Sequence, residues 1–149
     1  MGIENDINQP KFRNEYQKAI INLVYTSNWM EERMKCFFER EHITPQQFNI
    51  LRILRGAGKP ISTLQIRQSM LDKMSDTSRI VDRLLAKEYV KKNTCENDKR
   101  LVDVSITSKG KKLLDKMDKC ETEMDQILAS ISEAEAKILN KLLDKMRSA

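Results

Sequence analysis

Residues 75–110, SDTSRIVDRLLAKEYVKKNTCENDKRLVDVSITSKG, change their hydrophobic period midway. Ile80, Val81, Leu84 and Leu85 follow the helical repeat of about 3.6 residues. Ser75 suits the cap of that helix, which is expected to run to about Lys87. Beyond it the period falls to two. Val102, Val104 and Ile106 alternate with Asp103 and Ser105, the pattern of a half-buried strand. Tyr89 to Cys95 is the expected partner strand, and Glu96-Asn97-Asp98-Lys99 is polar and turn-forming, so the two strands make a hairpin. Thr107 then caps the next helix.

Upstream, Thr44-Pro45-Gln46-Gln47 is a helix start, with an N-cap threonine, a proline at the first helical position and a glutamine placed for a capping box. Gly56-Ala57-Gly58 stops that helix, and Lys59-Pro60-Ile61 is a short extended link. Ser62-x-x-Gln65 opens a second short helix with Leu64, Ile66 and Met70, and Leu71-Asp72-Lys73-Met74 makes a turn. Two short helices joined by a tight turn, the second with arginines on its outer face, form a helix-turn-helix pattern.

Both ends carry long apolar stripes. Tyr16, Ile20, Leu23, Ser27, Met30, Met34 and Phe37 recur at alternating steps of four and three, so residues 11–41 read as one long helix. At about 1.5 Å per residue such a helix spans roughly 45 Å, more than one small core needs. Leu113, Met117, Cys120, Met124, Ile127 and Ile131 repeat the pattern after Thr107. Ser132-x-x-Glu135 opens a last helix with Ile138, Leu139, Leu142, Leu143 and Met146. The expected fold is mainly α with a small β-hairpin: a winged helix-turn-helix lobe at residues 44–107, and dimerisation helices at 1–43 and 108–149.

Composition narrows the function. The chain has 149 residues, 33% of them charged, and a net charge of +5. Residues 1–43 carry −1, residues 44–100 carry +6 and residues 101–149 are neutral. A basic middle between near-neutral flanks points to a polyanion partner for the middle. With one histidine, four glycines, no nucleophile elbow and no phosphate-binding glycine loop, enzyme chemistry is not expected. Cys36, Cys95 and Cys120 are far apart and form no metal set with His42, so neither metal nor cofactor is expected. No signal peptide or membrane span is legible, and a cytoplasmic location is expected.

The basic middle suits double-stranded DNA. A helix fits the major groove, which is about 12 Å wide, and the outer face of the 75–87 helix is expected to offer Thr77, Ser78, Arg79 and Arg83. An arginine can bond guanine bidentately or hold a phosphate. Asp76 has three open roles: helix cap, partner of a neighbouring arginine, or acceptor from cytosine. At the hairpin tip, Lys99 and Arg100 can reach a minor groove, with Asp98 holding Arg100 extended.

The order of elements, together with Val81-Asp82-Arg83-Leu84, Asp98-x-Arg100 and Ile106-Thr107-x-x-Gly110, resembles the MarR (multiple antibiotic resistance regulator) family of winged-helix transcription factors. The resemblance covers nearly the whole chain. It implies a homodimer on a pseudo-palindromic operator, usually repressing. It assigns DNA contact to Ser75, Thr77, Ser78, Arg79 and Arg83 and to the wing residues Asp98, Lys99 and Arg100. It also implies response to a small phenolic or amphipathic effector, in a cleft between the dimer helices and the DNA-binding lobe. Tyr25, Trp29, Met30, Met34 and Phe37 are the lining candidates, against the blander reading that they are ordinary core. Glu88 departs from the family, which usually has glycine there; a left-handed helix end at glutamate costs about 1 kcal/mol. Two alternatives stay open: a winged-helix protein-interaction module without DNA readout, and a cysteine-based redox-sensing regulator.

Overall fold

Side-chain caps set most of the α-helix starts. A computed structural model of the chain describes residues 2–94 and 102–148. Cys95 and the expected wing residues Asp98, Lys99 and Arg100 therefore lie outside the described residues. The elements are α1 (Ile3–Asp6), α2 (Glu15–Glu39), α3 (Pro45–Ala57), β1 (Ile61–Ser62), α4 (Thr63–Ser69), α5 (Thr77–Ala86), β2 (Val90–Thr94), β3 (Val102–Ile106), α6 (Ser108–Asp118), α7 (Glu121–Asp125), a 3-10 turn (Gln126–Leu128) and α8 (Glu133–Arg147). They fall into two compact units, residues 1–37 and 38–149.

In the first unit, α2 starts later than its apolar repeat suggests. The Asn14 side chain accepts the Gln17 N–H at 2.9 Å, so the cap stands just before Glu15. The short α1 was not legible in the sequence; Lys18 of α2 pairs with its Glu4. Arg33 lies 4.0 Å from the centre of the Trp29 ring, a cation–π contact. Along α2, Tyr16, Ile20 and Val24 are exposed.

In the second unit the expected capping boxes form. Thr44 caps α3 with Gln47 reciprocating, and Pro45 stands at the first position. Ser62 with Gln65 does the same for α4, and Ser132 with Glu135 for α8. Gly58 ends α3 at φ 65°, a conformation that glycine adopts without a Cβ penalty. The hairpin has the expected strands, with Val90 opposite Ile106 and Thr94 opposite Val102. The extended link is itself a strand: Ile61 pairs with Val104 and Ser62 with Asp103, so the hairpin belongs to a three-stranded antiparallel sheet ordered β1-β3-β2.

One core joins these pieces. Ile50, Leu51 and Leu54 of α3, Ile66 of α4, Val81 and Leu84 of α5, Val90 and Val104 of the sheet and Leu114 of α6 are fully buried. Each such aliphatic side chain contributes about 1.5–3 kcal/mol from burial. Ring contact between Phe38 and Phe48, with centroids 5.3 Å apart, closes the core toward the start of the unit. The apolar repeat after Thr107 does not run along one helix. The chain leaves helical geometry at Cys120, whose N–H bonds Met117 O at 2.9 Å, and continues as α7 and the 3-10 turn. No residue of α8 is buried; Ile138, Leu142 and Met146 are each more than half exposed.

Arg55 of α3 grips Asp118 of α6 through two nitrogens, at 2.7 and 3.3 Å. That hydrogen bonding holds the Asp118 carboxyl below its usual value of 3.8 and raises the Arg55 guanidinium. A lowered folded-state pKa contributes stability that is present above 3.8 and is lost as pH falls through the folded value. Because both groups are about one-third exposed, solvent screens the pair. Asp118→Asn should lower stability by about 0.5–1 kcal/mol at pH 7, and urea titrations should show that gap closing below pH 3.8. A gap that stays constant with pH would show that the charge is not what stabilises the contact.

Candidate nucleic-acid interface

The second helix of the helix-turn-helix, α5, is set by its own amphipathic pattern. Its buried side is Thr77, Val81 and Leu84, at the four-and-three spacing of one helix face. The outer side carries Ser78, Arg79, Asp82 and Arg83, all exposed. Arg79 and Arg83 stand one turn apart on it.

Two expectations about this helix change. Its cap is Asp76, not Ser75: the Asp76 carboxylate accepts the Arg79 N–H at 3.2 Å. This settles the structural role of Asp76, since one oxygen is committed to a free helix N–H. Ser75 is half-buried, with its hydroxyl oxygen out of solvent. Thr77 is 4% exposed and packs inward rather than standing on the outer face. It takes the first core position of α5, one turn before Val81, with its hydroxyl oxygen also out of solvent, and a polar residue type hid this.

The exit of α5 is built tightly. Glu88 adopts φ 66°, so the left-handed end forms despite the side chain. Glu88 N–H bonds Leu85 O at 3.0 Å and Tyr89 N–H bonds Leu84 O at 3.1 Å, the paired bonds of a Schellman end. Three residues from the start of α6 hold that end. The Thr107 hydroxyl donates to Glu88 O at 2.7 Å, and the Thr107 N–H to Tyr89 O at 3.0 Å. Lys109 Nζ donates to Lys87 O at 3.0 Å and sits 5.2 Å from the Tyr89 ring centre. At Gly110 a Cβ would come 2.4 Å from Tyr89 O, so only glycine permits the approach.

Lysines around the helix divide by role. Lys92 of β2 pairs with Asp82 at 2.5 Å, which ties the hairpin to the outer face of α5. Lys87 is occupied inside the lobe, donating to His42 O at 2.5 Å and to Gln47 Oε1 at 3.2 Å. Lys91 is exposed. Between the starts of α4 and α5 lies an open groove of 490 Å³, lined by residues that include Arg67, Ser75 and Ser78. Leu64, read as part of the apolar side of α4, is exposed beside it, while Ile66 and Met70 are buried.

The other candidates are dispersed. Tyr25, Trp29, Met30, Met34 and Phe37 all lie on α2; Tyr25 is exposed, Trp29, Met30 and Met34 are half-buried, and Phe37 is buried. Cys36 is exposed on α2, and Cys120 is half-buried as a free thiol. Among the described residues no cluster of histidine, cysteine and carboxylate side chains could hold a metal ion, and no helix is long and apolar enough to cross a membrane.

The family model of MarR matches residues 43–102. The transcriptional repressor NicR of Pseudomonas putida is 30% identical over 120 residues, 77% of this chain and 75% of its own. Two solved structures share the fold. A mutant of E. coli MarR in complex with operator DNA has a TM-score of 0.76 at 23% identity, over 98% of this chain and 99% of its own. BpsR of Bordetella bronchiseptica, whose DNA binding is regulated by 6-hydroxynicotinic acid, has a TM-score of 0.80 at 20% identity, over 93% of this chain and 99% of its own.

The exit of α5 gives two opposite expectations. Glu88→Gly removes the left-handed penalty and should raise stability by about 0.5–1 kcal/mol. Gly110→Ala forces the Cβ against Tyr89 O and should lower it by about 1–3 kcal/mol. Urea midpoints measured side by side check both; a destabilised Glu88→Gly variant would mean that the Glu88 side chain contributes more than its backbone costs.

Proposed function

The chain belongs to the MarR family of transcriptional regulators, and on that premise we propose that it binds a pseudo-palindromic operator as a homodimer and represses the adjoining genes in the cytoplasm. The observation that carries this reading is the outer face of α5, where Ser78, Arg79 and Arg83 stand exposed on a helix capped at one end and locked at the other. Residues 44–107 serve as the DNA-binding lobe. Arg79 and Arg83 contact base edges or phosphates in the major groove, Ser78 flanks them, Ser75 supports the entry to the helix with its hydroxyl out of solvent, and Asp98, Lys99 and Arg100 serve the minor groove as the wing. Thr77 seats the helix on the core and touches no DNA.

Pairing of two copies falls to residues 1–43 and 108–149. The apolar side chains left exposed on α2 and α8 support this, because large apolar faces on a soluble protein mark contact surfaces. A small aromatic effector is assigned to the Tyr25, Trp29, Met30, Met34 and Phe37 stretch of α2. The redox alternative has one feature in its favour, the exposed thiol of Cys36.

Selection of duplexes from a random pool tests the main claim. The bound sequences should share an inverted repeat with half-sites about 10 bp apart, one helical turn. Affinity should fall steeply with salt, as expected when several phosphates are neutralised. Arg83→Ala should cost about 1–3 kcal/mol and relax one position of the half-site if it reads a base, or weaken all sequences alike if it holds a phosphate. Asp76→Asn keeps a capping oxygen while removing a negative charge from the DNA face, so it should bind more tightly with stability unchanged. A selected pool with no shared repeat would overturn the reading.

A further inference from the structure

The groove between α4 and α5 mixes polar side chains with two exposed apolar ones. Leu64 is 64% exposed and Met74 is 93% exposed. Ten residues apart in sequence, they converge on this one groove, with Arg67, Ser75 and Ser78 also at its edge. Single exposed apolar residues are ordinary on a protein surface. Two that line one groove beside the start of α5 give that groove an apolar component.

The turn that presents Met74 is held in place. Asp72 Oδ1 accepts the Met74 N–H at 3.0 Å, and Asp72 O accepts the Ser75 N–H at 3.3 Å. Lys73 Nζ donates to Gln68 O, tying the turn back to α4. Met74 thus stands outward from a bonded loop, immediately before the Ser75-Asp76 entry to α5. Its unbranched thioether adapts its shape to what it meets.

Among the base edges in the major groove, only thymine presents a methyl group, next to the O4 acceptor. The groove offers the complement: donors from Ser78 and Arg67, and apolar side chains from Met74 and Leu64; Asp76 also lines it, with one carboxylate oxygen held by the Arg79 N–H. Cytosine presents an amino donor in place of O4 and no methyl, so it would leave the apolar side chains against a polar edge. Building on the DNA-binding reading above, we propose that Met74 is a specificity-determining residue that packs against the 5-methyl group of a thymine in each half-site, with Leu64 adding to the same apolar lining.

The test uses the full chain and the duplex that it selects. Each thymine is replaced singly by deoxyuridine, which removes only the methyl group, and affinity is measured for the wild type, Met74→Ala and Met74→Leu. One thymine per half-site should show a loss of about fourfold in the wild type, the factor expected for one buried methyl-sized group. That loss should vanish in Met74→Ala and persist in Met74→Leu. Because Met74 is 93% exposed, the variants should unfold at the wild-type urea midpoint. A thymine-methyl effect that survives in Met74→Ala, or no effect at any thymine, overturns the proposal while the regulator reading stands. If the wild type selects no duplex at all, both fall.

Discussion

The approach of Gly110 to the carbonyl of Tyr89 fixes the geometry on which the lobe depends. A methyl group at residue 110 would sit 2.4 Å from that oxygen, so the backbone of α6 lies directly against the strand that leaves α5. The same contact lets Thr107 do two jobs. Its hydroxyl receives the Gly110 N–H at 3.1 Å as a helix cap, and donates to Glu88 O at 2.7 Å. The end of one helix and the start of another are thereby one hydrogen-bonded unit, and the hairpin between them inherits its direction from it. A glutamate held at φ 66° is tolerable there because the surrounding bonds over-determine the conformation.

Helix starts were the most legible part of the fold, because a capping box is a local transaction among four consecutive residues. Among the described residues three of them form, at Thr44, Ser62 and Ser132, each visible before any tertiary contact is known. The third strand was not, because Ile61-Ser62 is two residues long and becomes a strand only through its pairing with Val104 and Asp103. Nor was the break at Cys120, where the apolar spacing continues while the backbone bonds shift to the tighter i→i+3 pattern. The length of α2 was overestimated for a related reason: periodicity locates a face, whereas Asn14 locates the end.

The candidate site was legible in its charges and less so in its orientation. Arg79 and Arg83 stand where their spacing placed them. Thr77 and Asp76 show the limit, since residue type suggests surface for both, yet one is core and the other spends its carboxylate on a backbone N–H. Leu64 shows the converse: an apolar residue that faces solvent two positions before the buried Ile66. Exposure is a property of the whole lobe, and no window of sequence contains it.

Lys87 carries a consequence of another kind. Its ammonium binds His42 O and Gln47 Oε1, while its carbonyl accepts from Lys109. One residue therefore touches the turn after α2, the first turn of α3, the end of α5 and the first turn of α6. A change of the Lys87 side chain removes the bonds to the turn after α2 and to the first turn of α3 together, and leaves the carbonyl bond to Lys109 in place.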